Sequence, residues 1–266
     1  MTNKKGFYGG LKSWFEQKMY IEQPKNKIEL FEPQRTNLEP IFDSQTNQFT
    51  GVLYTDLDTC AQKDYLNYFS DALDTMAYWY CHGRAILTLL PLPVELLSND
   101  LFSQSLEQKL IDSKLPVGYI KIPLTHYKTV DFHLYKEKLL QLERLGIILE
   151  LKNFSGGMIE IQWLNTGMFT GVHFSTSLIR AASITTYSKE IINDLLITCK
   201  RKNYHLYSEG ISLVHDFTFT KNSSIQYCYG PLMMPAVSKH QILKINQSQF
   251  TDALTHAPKK NSNDRE

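Results

Sequence analysis

Two hydrophobic periods alternate along the chain. Short apolar runs rich in β-branched and aromatic residues are separated by stretches in which apolar side chains recur every three to four positions, the spacing of one helical face. The helical period is clearest after Asp131, where Phe132, Tyr135, Leu139 and Leu142 share a face. Asp131 is placed to cap that helix and Gly146 to end it in a left-handed turn. Residues 147–151 then read as a strand. A second helix is predicted after Ser188, burying Ile191, Ile192, Leu195, Leu196 and Cys199. Lys200, Arg201 and Lys202 lie where the negative end of its dipole favours cations. Residues 204–207 read as the strand that follows. Upstream, the same alternation predicts a helix over 63–80, a strand over 85–90, a helix over 95–111 and a strand over 117–122. Gly156 and Gly157 read as a strand-to-helix turn.

Strands alternating with helices imply parallel pairing through crossover helices. At this spacing, in 266 residues, a closed α/β barrel is favoured over an open sheet. Three zones divide the chain. Residues 1–27 are basic and aromatic, with Leu11, Trp14, Phe15 and Met19 on one potential helical face. That face is expected to pack on the body of the protein, with a partner or a membrane surface as alternatives. Residues 28–245 form the folded unit. Residues 246–266 form an extension whose polar end, 257–266, holds nothing to bury and is expected to fray.

Composition narrows the class. With 42% hydrophobic and 21% charged residues the chain can bury a core. Its 28 Lys+Arg against 27 Asp+Glu leave a net charge of +1, so no global field attracts nucleic acid, and no direct nucleic-acid partner is expected. The longest apolar region, 85–97, is broken by Pro91, Pro93 and Glu95 and falls short of the ~20 residues that span a bilayer. The N-terminus lacks the apolar core of an export signal. Cys60, Cys81, Cys199 and Cys228 are scattered, which favours reduced, mostly core thiols in a cytoplasm over a metal or disulfide framework. No GxxxxGK[ST], GxGxxG or HExxH motif is present.

The order of several short words is more informative. Glu39-Pro-Ile-Phe-Asp43 with Gly51-Val52 is followed by Leu142-Glu-Arg-Leu-Gly146, Asn153-Phe-Ser-Gly156, Val172-His-Phe-Ser175, Ser208-Glu-Gly-Ile211 and Tyr229-Gly-Pro231. Over about residues 28–245 this series resembles the EAL domain, the family of bacterial cyclic di-GMP phosphodiesterases and their inactive relatives. The resemblance implies a modified TIM-like (β/α) barrel. It also implies chemistry by two divalent ions, held by carboxylates and an asparagine, that activate water for attack on a phosphodiester.

Measured against that pattern, the ligand set is depleted. Leu53 stands where the signature glutamate is expected, and Leu57 where dinucleotide-binding members carry arginine. Leu90 or Leu89 replaces the asparagine. Lys121 takes the first position of the Glu-x-x-Glu word, and Lys152-Asn153 that of the Asp-Asp pair. His173 takes the place of the lysine that assists the attacking water, Ser212 that of a second carboxylate, and Cys228 or Tyr229 that of a glutamine. Of the set only Glu209 remains. Lys121 and Lys152 are expected either to present their ammonium groups to Glu209 in place of metals or to snorkel to water, and His173 to be a packed structural residue.

No catalytic, metal or cofactor site is therefore expected. The chain is similar to YdiV-like inactive members, which implies an anti-activator binding a bacterial regulatory protein that controls motility, fimbriae or biofilm. A metal-independent cyclic di-GMP or nucleotide sensor is the alternative, with dinucleotide binding disfavoured by Leu53 and Leu57. An active phosphodiesterase is the least favoured reading.

Overall fold

The computed structural model describes residues 37–245, and its first two strands run in opposite directions. β1 (Leu38–Asp43) turns into β2 (Phe49–Tyr54) through a loop in which the Asp43 carboxylate accepts the backbone N–H groups of Gln45 and Thr46. Asn47 completes the loop in the left-handed region, at φ 56°. Both are local conformations that Asp and Asn side chains favour. β3 (Leu87–Leu89) pairs parallel with β2. β4 (Leu92–Pro93) is a two-residue extension alongside β5 (Ile120–Thr125), which itself pairs with β3. β6 (Ile148–Phe154), β7 (Gly171–Phe174), β8 (His205–Ser208) and β9 (Tyr227–Cys228) follow in parallel order. β9 then pairs antiparallel with β1. Eight of the nine strands thus close a mixed barrel, with β4 outside the ring. The expected barrel is present, and its one reversed strand is the departure from all-parallel order.

The helices α1 (Asp56–Thr59), α2 (Tyr65–Cys81), α3 (Asp100–Ser113), α4 (Phe132–Arg144), α5 (Met158–Leu164), α6 (Thr176–Ile184), α7 (Thr186–Arg201) and α8 (Val214–Asn222) connect the strands, and α9 (Lys239–Ile242) follows the last of them. α4 follows its sequence pattern: Asp131 accepts from His133 N, Tyr135, Leu139 and Leu142 are buried, and Gly146 sits at φ 83°. Gly156, at φ 83°, and Gly157, at the start of α5, make the expected strand-to-helix turn.

Other boundaries move for identifiable reasons. The helix expected over 95–111 is split, because the Asn99 side chain accepts from Leu101 N and Phe102 N and starts α3 there, after a 3₁₀ turn at Val94–Ser98. The strand expected over 117–122 begins at Ile120, since Val117–Tyr119 form a 3₁₀ turn after Pro116. α7 begins before Ser188, capped by Thr185, and buries Ile192, Leu196 and Cys199 while Ile191 is exposed. Residues 1–27 and 246–266 lie outside the described residues.

Strand alternation creates two distinct interiors. Val52, Ile122, Leu149, Leu151, Val172, Phe174 and Leu206 point outward and pack with the helices in the main core. The inward positions carry a small separate cluster of Ile41, Leu53, Leu89, Tyr207 and Tyr229. Among them lie the buried polar residues Lys121, Glu150, Lys152, His173 and Glu209. Gly51 permits the close β2–β3 approach, for a Cβ there would lie 2.6 Å from the Leu87 carbonyl oxygen.

Candidate functional site

Period two on β6 explains how charge enters the barrel. Leu149 and Leu151 face the helices, so Glu150 and Lys152 face the axis. Register aligns Glu150 with Gly171 and Gly171 with His205, the first residues of β7 and β8, while Lys121 lies at the second position of β5, opposite Ile148. Lys121 Nζ donates to Glu150 Oε1 at 2.7 Å and to Tyr207 OH at 2.8 Å, and lies 2.8 Å from His205 Nδ1. An ammonium only donates, so His205 Nδ1 accepts. The other oxygen of Glu150 meets His173 Nε2 at 2.8 Å, and His173 Nδ1 meets Tyr229 OH at 3.0 Å. The His173 ring stacks on Tyr207 with centroids 4.0 Å apart. Burial opposes ionisation of Glu150, but the His173 hydrogen bond and the charges of His173 and Lys121 outweigh it and hold the carboxyl well below its usual range.

A second charge cluster lies at the C-terminal mouth. β6 is irregular between Leu151 and Phe154, where Asn153 adopts φ 57° and turns its backbone N–H to Glu209 Oε1 at 2.6 Å. Lys152 Nζ reaches Asp58 Oδ2 at 2.8 Å and Glu209 Oε2 at 3.3 Å. Asp58 Oδ1 is buried without a hydrogen-bond partner among the described residues. Burial lowers the tendency of Lys152 to hold its proton, and the carboxylates of Glu209 and Asp58 more than reverse this, raising its pKa. Burial raises Glu209 against the opposing charge of Lys152. Burial also lifts the half-buried Glu39 to about 7, with Lys152 opposing and Glu209 and Asp58 adding to the rise.

The positions singled out in the sequence separate accordingly. Lys152 meets Glu209 as expected, whereas Lys121 does not, because Glu150 is its partner one layer deeper. Neither lysine snorkels, both being buried. Leu53 and Leu89 line the interior, which makes Leu89 rather than Leu90 the residue facing the axis; Leu90 belongs to the outer core. Leu57 is buried in α1. Asn153 contributes its backbone to the site while its side chain is exposed, and the exposed Ser212 bonds to Arg180. His173 is fully buried and carries two hydrogen bonds, as a structural histidine should. Cys199 and Cys228 are core residues with thiols raised by burial to about 11 and about 12; Cys60 is half-buried and Cys81 exposed.

Sequence reasoning missed Glu150, Glu39, Asp58, His205 and Tyr207. The available signal for Glu150 and Tyr207 was alternation with outward-facing neighbours, Leu149 and Leu151 around one and Leu206 beside the other.

The two divalent ions implied by the resemblance do not fit these residues. Lys152 already stands between Asp58 and Glu209, Lys121 already neutralises Glu150, and Leu53 offers no oxygen. Among the described residues no group of three or more His, Cys, Asp or Glu side chains is arranged to hold a metal. No described helix is long and apolar enough to cross a membrane.

No protein-family model matches the sequence, and comparison with curated proteins finds no match. Solved structures do match. The EAL domain of Mycobacterium smegmatis DcpA superposes with a TM-score of 0.69 at 14% identity, over 82% of this chain and 96% of that one. An EAL domain protein from Listeria monocytogenes EGD-e gives 0.67 at 12% identity, covering 79% and 91% of the two chains. Klebsiella pneumoniae BlrP1, solved as a manganese and cyclic di-GMP complex, gives 0.67 at 14% identity, covering 79% of this chain and 57% of that one. With a closed mixed barrel, a reversed first strand and these neighbours, the chain has the EAL-domain fold.

Proposed function

We propose that the chain is a catalytically inactive EAL-fold protein that acts in the cytoplasm by binding another protein. By its resemblance to degenerate members, that partner is a bacterial transcription regulator governing motility, fimbriae or biofilm. The observation supporting the loss of chemistry is the Lys152 ammonium bridging Asp58 and Glu209 at the mouth, where a phosphodiesterase of this fold needs cation-binding oxygens. A neighbour holding manganese and cyclic di-GMP does not transfer that ligand here, because both interior lysines are committed to carboxylates and neither is spare for a phosphate. Support for the binding role comes from the outer helices, which expose Leu134, Ile184 and Tyr187 at 76%, 67% and 74%. A specific contact needs about 800 Å² on each partner, an area that outer helices of this size can supply.

Two measurements test the loss of catalysis and of dinucleotide binding. Incubation with cyclic di-GMP and Mn²⁺ or Mg²⁺ should yield no linear product above a protein-free control, and calorimetry with the dinucleotide should show no micromolar binding. Turnover abolished by Glu209→Ala would restore the enzyme class, and metal-independent micromolar binding would make the chain a sensor. For the partner, affinity capture from the native host should recover a regulatory protein in stoichiometric amount. Leu134→Glu or Tyr187→Glu should weaken that capture if the outer helices form the docking face.

A further inference from the structure

The cage around Lys121 is built by groups that hold one another. Glu150 Oε1, His205 Nδ1 and Tyr207 OH receive the three ammonium hydrogens at 2.7, 2.8 and 2.8 Å. Glu150 is fixed independently of the lysine, because His173 Nε2 binds its second oxygen and Tyr207 OH donates to Oε1 at 3.2 Å. Gly171 lets the carboxylate lie against β7, since a Cβ there would fall 2.6 Å from Oε1. His173 is in turn held by Tyr229 and by stacking on Tyr207.

The spacing fits the ion it holds. The three acceptors lie 2.7–2.8 Å from the Lys121 ammonium nitrogen, the distance of charge-assisted N–H bonds, and would have to close in to hold magnesium at ~2.0–2.1 Å, zinc at ~2.0–2.2 Å or calcium at ~2.3–2.6 Å. We infer that this cage is a binding site for a monovalent ammonium-type cation, occupied by the chain's own Lys121 and able to accept a primary alkylammonium ion once that side chain is shortened. The His205 side chain is half-exposed, so this wall of the cage reaches solvent. The inference deepens the metal-free reading of the interior and rests on it, but not on any protein partner.

The test is thermal unfolding of the full chain at pH 8, where propylammonium, like lysine, keeps its proton. Lys121→Ala in sodium chloride should lose roughly 10 °C in Tm, because the buried Glu150 Oε1 loses the ammonium bonded to it. Propylammonium chloride at equal ionic strength should restore at least half of that loss saturably, while leaving the parent protein unchanged. Propanol, Mg²⁺ and Mn²⁺ should restore nothing. Equal recovery in sodium chloride or propanol, recovery by either divalent ion, or a variant that stays unfolded in propylammonium would each overturn the inference.

A second pair keeps the test independent of how well alanine is tolerated. Lys121→Met should be destabilised, and Lys121→Met/Glu150→Gln should regain most of that loss. A Lys121→Met protein as stable as the parent would show that the cage needs no cation. Metal-dependent hydrolysis by the parent protein would instead defeat the metal-free reading, so the two failures are distinguishable.

Discussion

Glu39 and Glu150 are both carboxylates in the barrel, and the fold treats their ionisation in opposite ways. Glu39, raised to about 7 chiefly by burial, keeps its proton in the folded state through a range where the unfolded chain, at about 4.5, has released it. Its contribution is therefore fully present below about 4.5 and is lost as pH rises to about 7. Glu39→Gln should stabilise the protein by about 2–3 kcal/mol at pH 8 and by almost nothing at pH 4, read from urea midpoints. Glu150 has the reverse sign: its depressed pKa makes its contribution present above the unfolded value of about 4.5 and lost as pH falls below it. Glu150→Gln, which leaves Lys121 buried without its charge partner, should cost about 3–5 kcal/mol at pH 7. The deficit should shrink in acid. A further residue-scale consequence concerns Gly171, where alanine would press a methyl group against the Glu150 carboxylate. Gly171→Ala should destabilise the parent and do so less in a Glu150→Ala background, a coupling that a double-mutant cycle measures. Of these residues, only the lysines, His173 and Glu209 stood out in the sequence, through their places in the motif order. Glu150 was hidden because one strand's charge says nothing of which neighbouring strand holds its partner.

At the scale of elements, local chemistry set the boundaries that periodicity left open. The apolar spacing over 95–111 continues smoothly, yet Asn99 stops one helical turn and starts the next by accepting two backbone N–H groups. Asn99→Ala should cost about 1 kcal/mol in urea unfolding, with Thr185→Ala at the head of α7 costing a similar amount. Asp131 and Gly146 were legible as the cap and stop of α4 because each has a single strong local preference. The β1–β2 hairpin was not, although Asp43 and Asn47 stand at its turn, because strand–helix alternation dominates the rest of the chain and biases the expectation toward parallel pairing. The bulge at Asn153 likewise depends on a long-range hydrogen bond to Glu209 that no local pattern contains.

For the whole molecule, the barrel was legible from alternation and length together, and its EAL character from the order of the short motifs. What alternation could not supply was the allocation of charge inside. Two lysines face separate carboxylates at different depths: Lys121 with Glu150 below, and Lys152 with Asp58 and Glu209 at the mouth. An interior balanced in this way resists a divalent ion twice over, by repulsion from the ammonium groups and by occupation of the oxygens it would need. The most direct test is a titration of the full chain with Mn²⁺, followed by the loss of the free ion's electron paramagnetic resonance signal, with and without cyclic di-GMP. The account predicts that the free-ion signal rises in proportion to added Mn²⁺ through the micromolar range, whereas stoichiometric capture of one or two ions per chain would contradict it.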